Sequence, residues 1–393
     1  MKELSRITET FTESVIREMT RISDSMNGIN ISQGFPDFDA SMEIKQAAIR
    51  AIEQNLNQYP VTFGEPELRK AISIKAKDYN NINCDFETDI TVTCGATEAM
   101  LASLRAIINP GDEIIILEPF YENYGPDAIL SGATPKYVTL HAPDWHYDKK
   151  DLAAAFNSRT KAIIINTPNN PTGKVFSKEE LTEIGELCNK WDAYAITDEI
   201  YEHILYDGER HVSLGSLPGM EDRTITINSI SKTYSVTGWR VGWAIANRLV
   251  TERIRKVHDF MTVGAPTPLQ HAAAEALEFP AVYYQKLQQQ YAEGRKHLFD
   301  TLTQYGFKPF LPKGAYYMIA DVSGLKSIIK STDDFDFSRK LIEKTRVATV
   351  PGFSFYSNNK MTNQVRFAFC KKIETLQSVR EMFAKYLHAE VFH

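Results

Sequence analysis

The densest group of reactive side chains lies between Ser229 and Arg240, where the sequence reads SISKTYSVTGWR. The amine of Lys232 can condense with an aldehyde, and the neighbouring hydroxyls and the guanidinium of Arg240 suit a phosphate dianion. Apolar stretches lie on both sides, so we predict a loop at the end of a strand, where α/β proteins place their sites. A solvated polar loop with two cations is the alternative interpretation.

A second polar turn, NTPNNPTGK at residues 166–174, directly follows an apolar stretch. Its two prolines and its glycine fix a tight turn that presents a side-chain amide at a defined place. The alternative is a plain turn before a helix that Ser177 caps, with Glu180 three residues later.

A third segment, ITDEIY, places Asp198 at the end of a predicted strand at residues 193–197. A carboxylate is costly to bury there unless it pairs with a cation, such as the protonated ring nitrogen of a cofactor. Asp198 can equally cap a helix. Tyr201 would lie on the same side of a helical turn as Asp198, and otherwise it is a core tyrosine.

The middle of the chain alternates short β-branched stretches with helical patterns, which predicts a mainly parallel sheet covered on both faces. The predicted strands are residues 90–94, 114–117, 162–166, 193–197, 224–228 and 241–246. The helices predicted between them are residues 97–108, 123–130 and 178–190.

From about Pro280 onward, long helices with separated strands predict a smaller α+β domain, joined by the N-terminal segment. The predicted helices are residues 283–305, 335–345 and 372–387, and the predicted strands are residues 315–320 and 365–369. We therefore expect a large cofactor-binding domain at residues 46–282 and a small domain formed by residues 1–45 and 283–393.

Composition narrows the possible partners and locations. The 393 residues carry a formal net charge of −6, so no basic field is available for nucleic acid or anionic membranes. The four cysteines are far apart, which argues against a disulfide framework or a zinc site and favours a reducing compartment. With no signal-peptide pattern and no apolar stretch long enough to span a bilayer, we expect a cytoplasmic protein without a metal site.

The three polar segments occur in order on successive predicted strand ends, and together they resemble the class I and II aminotransferases of pyridoxal-phosphate (PLP) fold type I. The resemblance extends from INISQGFPDFD at residues 29–39 to the strand around Arg366. The QGFPDF, EPFYENYGP, NTPNNPTGKVFS and LPGM segments are similar to the branch of kynurenine–oxoglutarate or glutamine transaminases and bacterial methionine aminotransferases. The implied fold is α/β, with a mainly parallel seven-stranded sheet in a large domain beside a smaller α+β domain.

This resemblance implies a role for each matching residue around the PLP ring. Lys232 would carry PLP and act as general base and acid, and Asp198 would pair with the ring nitrogen. Asn170 and Tyr201 would donate hydrogen bonds to the phenolic oxygen of the ring, and Tyr121 would stack on its face.

The same resemblance implies a phosphate site and a shared active site. The phosphate would be bound by Ser229, Arg240 and the turn formed by Gly95, Ala96 and Thr97 at the start of a helix. Tyr59 matches a tyrosine that reaches the phosphate of the partner subunit, which would make the enzyme a homodimer.

Arg366 matches an arginine that binds the substrate α-carboxylate, and Gly34 matches a glycine whose backbone approaches the substrate. The implied reaction moves an amino group from an L-amino acid to a 2-oxo acid in two half-reactions, a ping-pong mechanism. Asn170 would lie within reach of the substrate as well as the cofactor.

Substrate preference depends on positions at which the chain differs from its relatives. Thr97 stands where kynurenine-type enzymes have tyrosine and some aspartate-specific relatives have lysine, Val263 and Gly264 replace a Phe-His pair, and the N-terminal segment has no tryptophan. Because no cation is evident for a distal carboxylate, we expect methionine, aromatic or other uncharged side chains. Arg17 and Arg21 lie in an N-terminal segment that can fold over the pocket in relatives, but for these two residues we expect an exposed amphipathic helix.

Other functions stay open at this point. A β-lyase acting on cysteine S-conjugates or cystathionine would share the same fold and cofactor, and an aspartate-type aminotransferase is a weaker alternative. A ligand-sensing domain of a transcription regulator is disfavoured by the acidic chain and by the short segment that precedes QGFPDF.

Overall fold

The computed structural model describes residues 2–357 and 362–387. The strands are β1 Ile29–Asn30, β2 Ile90–Thr93, β3 Glu113–Glu118, β4 Thr134–His141, β5 His146–Tyr147, β6 Thr160–Asn166, β7 Tyr194–Asp198, β8 Thr224–Ser229, β9 Gly242–Ile245, β10 Lys308–Pro309, β11 Tyr317–Asp321, β12 Val347–Ala348, β13 Val350–Pro351 and β14 Gln364–Ala368. The α-helices are α1 Val15–Ser25, α2 Met42–Glu53, α3 Pro66–Asn80, α4 Ala96–Ile107, α5 Tyr124–Leu130, α6 Lys149–Ala155, α7 Lys178–Trp191, α8 Arg248–Thr262, α9 Thr267–Leu277, α10 Ala281–Gln304, α11 Lys326–Ile329, α12 Asp334–Thr345 and α13 Ile373–Tyr386.

The central sheet has the strand order β2-β9-β8-β7-β6-β3-β4-β5. Strands β4, β3, β6, β7 and β8 pair in parallel, and β9 runs antiparallel to both β2 and β8. The expectation of a mainly parallel sheet is confirmed, and the predicted seven strands are extended at one edge by the two-residue, antiparallel β5. The strand-by-strand prediction missed β4, because its residues alternate between exposed and buried positions and form no continuous apolar stretch.

Both faces of the central sheet are buried, which explains why its inner strands read as continuous apolar stretches. Ile114 and Ile116 of β3 pack on one face with residues of α4, α5 and α8. Their neighbours Ile115 and Leu117 pack on the other face with residues of α6 and α7. Successive side chains of a strand point to opposite faces, so one short strand contributes to both layers of the core.

A second, antiparallel sheet with the order β10-β11-β14-β13 forms the smaller α+β part. It packs with α10, α12 and α13 around an aromatic-rich core that includes Tyr291, Phe337, Phe367 and Phe383. The N-terminal segment contacts this part, because β1 pairs in parallel with β12. This placement positions Gly34 and Arg366, on opposite ends of the chain, next to the end of the central sheet.

The predicted boundaries at residues 45/46 and 282/283 fall inside α2 and α10, and the domain division stays a prediction. Residues 1, 358–361 and 388–393 of the predicted small domain lie outside the described residues. Over residues 2–357 and 362–387, we find no helix that combines the length and apolar character required to cross a bilayer.

The N-terminal segment forms the amphipathic helix that its sequence predicts. The hydroxyl of Ser14 caps α1 by accepting a hydrogen bond from the backbone of Arg17, and Ile16 and Met19 are buried. Arg17 and Arg21 are exposed, as expected.

Candidate active site

A cavity of about 190 Å³ opens where β6, β7 and β8 end, and it is lined by their last residues Asn166, Asp198 and Ser229. This is the edge at which parallel sheets present ligand sites. Of the thirteen site residues that the sequence predicts, eleven line this cavity. They are Gly34, Ala96, Thr97, Tyr121, Asn170, Asp198, Tyr201, Ser229, Lys232, Arg240 and Arg366.

Gly95 and Tyr59 do not line the cavity. Gly95 directly precedes Ala96 and contacts Arg240, so it belongs to the wall behind the lining. Tyr59 is 85% exposed, and within this chain it is not part of the site.

Lys232 lies in the loop after β8, and its half-buried side chain lines the cavity. Its Nζ donates a hydrogen bond of 3.3 Å to the backbone oxygen of Gly34 and lies 5.8 Å from the ring centroids of Tyr201 and Tyr316. Burial lowers the pKa of the Lys232 ammonium to about 8, and the positive charge of nearby Arg240 acts in the same direction. A larger share of this amine than of an ordinary lysine is therefore unprotonated near neutral pH and able to accept a proton.

Asp198, the last residue of β7, is buried beside a tyrosine that the sequence analysis did not identify. Tyr124, the first residue of α5, donates a hydrogen bond of 2.7 Å to Asp198 Oδ2. Burial raises the pKa of Asp198 to about 6, although the hydrogen bond from Tyr124 opposes this shift. A cationic group bound next to Asp198 would return the carboxyl to its ionised form.

The tyrosines of the cavity wall support one another. The hydroxyl of Tyr201 donates a hydrogen bond of 3.2 Å to the hydroxyl of Tyr317, and Tyr316 donates one of 2.9 Å to the backbone oxygen of Gly34. A Cβ atom on Gly34 would lie 1.7 Å from the hydroxyl of Tyr317. Only glycine therefore allows this backbone to come so close to the cavity wall.

Arg366 lies in β14 and is almost completely buried. Its guanidinium donates hydrogen bonds of 2.9 Å to the side-chain oxygen of Asn170 and 2.6 Å to the backbone oxygen of Ser32. It stacks over the rings of Tyr317 and Phe355, at 4.2 Å and 5.0 Å from their centroids. No carboxylate pairs with Arg366 among the residues that the structure describes, and its Nε has no hydrogen-bond partner there. A buried arginine held in this way is suited to bind an incoming carboxylate.

One end of the cavity combines hydroxyls, backbone N–H groups and a guanidinium. Ala96 and Thr97 begin α4, so their free N–H groups and the positive end of the helix dipole are available to an anion. Gly95 has a φ of +83°, and a Cβ atom there would lie 2.4 Å from Nη2 of Arg240. Ser231 adds a buried hydroxyl without a partner among the described residues. These groups form a cradle for a phosphate.

Tyr121 lines the cavity near the carboxyl that is expected to bind the ring nitrogen. Its ring packs edge-on against Tyr124, with the centroids 5.7 Å apart, and Tyr124 in turn contacts Asp198. Tyr121 can therefore cover one face of a flat ring that occupies the cavity.

Sequence reasoning missed Tyr124, Tyr317 and the buried carboxyl of Asp127, which line the cavity, and Tyr316, which donates to the backbone of Gly34. Tyr124 and Asp127 follow Tyr121 at intervals of three residues, and this spacing could have placed them on one face of a helical turn. No comparable signal marks Tyr316 and Tyr317, because they reach the site from the second sheet.

Comparisons with known proteins agree with this geometry. Residues 26–383 match the model of the family Aminotransferase class I and II. The chain is 37% identical to the kynurenine–oxoglutarate transaminase of Dictyostelium discoideum, covering 97% of this chain and 96% of the relative, and 35% identical to human kynurenine–oxoglutarate transaminase 1, covering 94% of each. Among solved structures, the methionine aminotransferase YbdL of Escherichia coli is similar, with a TM-score of 0.92 and 31% identity over 98% of this chain and 100% of the other.

The chain therefore belongs to the class I and II aminotransferases. It is a PLP-dependent transaminase, and its substrates are amino acids and 2-oxo acids. The residues present fit PLP: the cradle at the start of α4 fits the phosphate, Asp198 fits the ring nitrogen, and Lys232 offers the amine. The hydroxyl of Ser231 beside this cradle, which has no partner among the described residues, is the kind of buried polar group that a bound ligand satisfies.

Proposed function

We propose that this aminotransferase takes the amino group of an L-amino acid with a methionine, aromatic or other uncharged side chain and transfers it to a 2-oxo acid by a ping-pong mechanism. The observation that carries the proposal is a cavity lined by both a half-buried lysine, Lys232, and a buried arginine, Arg366, that has no carboxylate partner among the described residues. Because both groups line the same cavity, the two substrates would use it in turn.

The bound cofactor would be held at both of its ends. Ser229, Arg240 and the N–H groups of Ala96 and Thr97 would bind the phosphate, and Gly95 lets the backbone approach Arg240 closely. Asp198, fixed by the hydroxyl of Tyr124, would face the ring nitrogen. When bound, PLP supplies an aldehyde carbon and an electron-accepting ring.

Lys232 would move the proton of the substrate α-carbon. Its low pKa keeps much of the amine neutral near pH 8, so that Nζ can accept this proton and return it later in the same half-reaction. The backbone oxygen of Gly34 holds Nζ in position, and the rings of Tyr201 and Tyr316 exclude water around it.

Arg366 would orient the substrate by binding its α-carboxylate. The hydrogen bonds to Asn170 and Ser32 and the stacked rings fix the guanidinium before the substrate arrives, so little conformational entropy is lost on binding. Asn170 would contact both the cofactor ring and the substrate, since its side-chain oxygen already accepts a hydrogen bond from Arg366.

The preference for an uncharged donor is supported by the cavity wall and by the relatives. Ile16, Met100, Tyr121 and Ile200 supply apolar surface to the wall. The names of similar proteins include kynurenine and methionine as amino donors. Contact with this apolar wall would favour binding of an uncharged side chain, whereas a charged side chain would lose free energy of hydration there.

We also propose that the protein is a cytoplasmic homodimer whose two subunits share their active sites. Tyr59 is exposed in the single chain, together with Val61, Phe260 and Val263, and an interface would bury such apolar groups. All four cysteines are free thiols, which supports a reducing compartment. Sedimentation of the PLP-loaded protein tests the dimer, and a monomer that is fully active would contradict it.

The direct test of the reaction is an absorbance spectrum of the PLP-loaded protein before and after a single amino acid is added without oxo acid. Methionine, phenylalanine, kynurenine, glutamine and aspartate are compared at equal concentration. Conversion of the visible cofactor band with an uncharged donor, followed by its return when a 2-oxo acid is added, is the expected result.

Two other outcomes would contradict the proposal. If the band persists and a cysteine S-conjugate yields pyruvate and ammonia, the main reaction is a β-elimination. If aspartate alone converts the band, the donor is a dicarboxylic amino acid.

A further inference from the structure

A buried ion pair lies directly behind the turn that forms the phosphate cradle. Glu98 is the third residue of α4, and its carboxylate accepts a hydrogen bond from the backbone N–H of Cys94, which precedes Gly95. The hydroxyl of Thr262 donates a hydrogen bond of 2.7 Å to the same carboxylate, and Nδ1 of His258 lies 2.7 Å from it. Glu98 and His258 lie outside the lining of the cavity, so they support the cradle from behind.

The protonation state of His258 follows from its two partners. Nδ1 faces the carboxylate of Glu98, and Nε2 lies 2.8 Å from the backbone oxygen of Thr62. A carboxylate and a carbonyl oxygen only accept hydrogen bonds, so both ring nitrogens donate and the ring is positively charged. Burial alone would lower the pKa of His258, but the hydrogen bond to Glu98 and the charge of Glu98 raise it above its ordinary value. His258 is thus a buried cation paired with Glu98.

The second partner of His258 belongs to the segment at residues 58–64, which precedes α3. Nε2 of His258 donates to the backbone oxygen of Thr62 in this segment. The segment also carries Tyr59, whose exposed side chain would contact the phosphate of the partner subunit in the proposed homodimer. The ring of His258 therefore connects the start of α4, which belongs to its own phosphate site, with a segment that would serve the other site.

The charge of His258 bears directly on the binding of an anion. Glu98 immediately follows Ala96 and Thr97, whose N–H groups are available to the phosphate. A carboxylate at this place repels a phosphate dianion unless a nearby cation neutralises it. The cation that pairs with Glu98 is the imidazolium of His258.

We propose that His258 is a protonated positioning residue for the phosphate of PLP: it neutralises Glu98 behind the start of α4 and holds the segment that carries Tyr59. The inference rests on the phosphate site and the homodimer of the proposed function, and it adds to them a residue that lies outside the cavity. The effect of His258 should therefore appear in the affinity for the phosphate group of the cofactor.

The test compares PLP with pyridoxal, which lacks the phosphate. The purified enzyme is freed of cofactor and titrated with each compound, and the concentration that gives half of the visible cofactor band is measured. His258→Gln removes the charge, and we expect it to lower the affinity for PLP by about 10-fold, since a charge-assisted hydrogen bond is lost. The affinity for pyridoxal should change by less than about 2-fold, whereas a loss of folded protein would affect both compounds.

A second variant separates the charge of His258 from its effect on folding. His258→Gln combined with Glu98→Gln removes both members of the ion pair, so no uncompensated carboxylate remains behind the cradle. We expect this double variant to regain about 3-fold of the PLP affinity that His258→Gln loses. A full recovery is not expected, because a single amide nitrogen does not replace two ring nitrogens.

The matched control is His271→Gln. His271 lies in α9, and its Nδ1 is 3.0 Å from the carboxylate of Glu67, whose side chain is exposed. Neither residue of this pair lines the cavity. The variant should leave the affinities for PLP and for pyridoxal within about 2-fold of the wild type.

Three results would overturn the inference. An equal loss of affinity for PLP and pyridoxal in His258→Gln would mean that the residue acts on the structure in general, and an unchanged affinity for PLP would mean that the phosphate does not depend on it. A double variant that binds PLP as weakly as His258→Gln would mean that the charge of Glu98 is not what His258 offsets. If the wild type binds pyridoxal as tightly as PLP, the phosphate site of the proposed function fails as well.

Discussion

Asp198 and Glu199 are neighbouring buried acidic residues, and they differ in the groups that surround them. Asp198 lines the active-site cavity, where it accepts a hydrogen bond from Tyr124. Glu199, the next residue, belongs to a buried polar cluster outside that cavity. We call this the Glu199 cluster, and its members are Lys75, Asn80, Glu199, Glu202, His211 and Ser213.

The Glu199 cluster is held together by side chains of this protein. Lys75 donates to Glu202 and, at 2.8 Å, to Asn80, whose amide donates to Glu202 at 2.7 Å. Ser213 donates to Glu199 at 2.6 Å, and His211 lies 2.8 Å from the same oxygen. Side-chain atoms of Glu199, Glu202 and His211 that could bind a metal ion lie within 4.8 Å of one another. The ammonium of Lys75 already supplies a cation to the carboxylate of Glu202.

The two regions therefore show opposite pKa shifts. Burial alone would raise the pKa of Glu202, but the charge of Lys75 lowers it to about 2. In the cavity, burial raises the pKa of Asp198 to about 6 and lowers that of Lys232 to about 8. A buried charge with a counter-ion from the protein is held in its ionised form, whereas buried groups that lack a counter-ion are poised near neutral pH to bind a ligand or move a proton.

The largest effect should come from the active-site cavity, whose buried groups lack a counter-ion. Lys232→Ala removes the amine that binds the cofactor and moves the proton, so we expect loss of the visible cofactor band and a fall in kcat of more than about 10³-fold. Absorbance and single-turnover kinetics of the PLP-loaded protein measure both. The matched control is Lys371→Ala, since Lys371 is a buried lysine that donates to the backbone of Phe35 and does not line the cavity. A visible band that persists in Lys232→Ala would contradict the role of Lys232.

In the Glu199 cluster, removal of one member of the Lys75–Glu202 ion pair should lower the stability of the protein and leave its transamination activity in place. Glu202→Gln leaves the ammonium of Lys75 buried without its counter-ion, so we expect the free energy of unfolding to fall by about 3–5 kcal/mol. Urea denaturation at pH 7 measures this loss. Because the pKa of Glu202 is depressed from 4.5 to about 2, its contribution is present above pH 4.5 and is lost as the pH falls towards 2.

The control for Glu202→Gln is an exposed ion pair. Arg50 and Glu275 pair on the surface with about half of each side chain exposed, so Glu275→Gln should cost less than about 1 kcal/mol. A similar loss in both variants would mean that burial does not distinguish the Glu199 cluster.

Much of the cavity could be predicted from the sequence, because its residues lie at the ends of apolar strands. Asp198, Ser229 and the loop with Lys232 come at the ends of β7 and β8, and the parallel sheet brings such ends together. The partners of Glu199 and Glu202 could not be predicted in this way. Lys75 comes from α3, 127 residues before Glu202, and nothing in the local pattern of either segment indicates the pairing.

Other features of the cavity depend on packing between the two parts of the molecule. Tyr317 reaches it from β11, and Arg17 reaches it from α1, for which the sequence favoured an exposed amphipathic helix. Arg366 would look like an ordinary residue of a short strand without its family resemblance. The strand pattern thus locates the residues at the ends of the central strands, but it does not locate the residues that pack across the cavity from them.

The smallest expected effect concerns Asp127, a buried carboxyl that lines the cavity. Its Oδ2 has no hydrogen-bond partner among the described residues, so Asp127 tests whether a buried carboxyl without a partner destabilises the fold. Burial raises its pKa from 3.8 to about 7, so ionised Asp127 destabilises the folded protein, and this penalty grows as the pH rises from about 4 to 7. Asp127→Asn removes this penalty, which a shift of about three pKa units puts at about 4 kcal/mol, but it leaves a buried amide without a partner at a cost of about 1–3 kcal/mol. We therefore expect the apoenzyme variant to be more stable than the wild type by about 2 kcal/mol at pH 8 and no more stable at pH 4. Urea denaturation at both pH values measures the difference, with Asp39→Asn as an exposed control. If Asp127→Asn is destabilised at pH 8, the carboxylate has a partner that stabilises it, and Asp127 belongs with the paired charges of the Glu199 cluster.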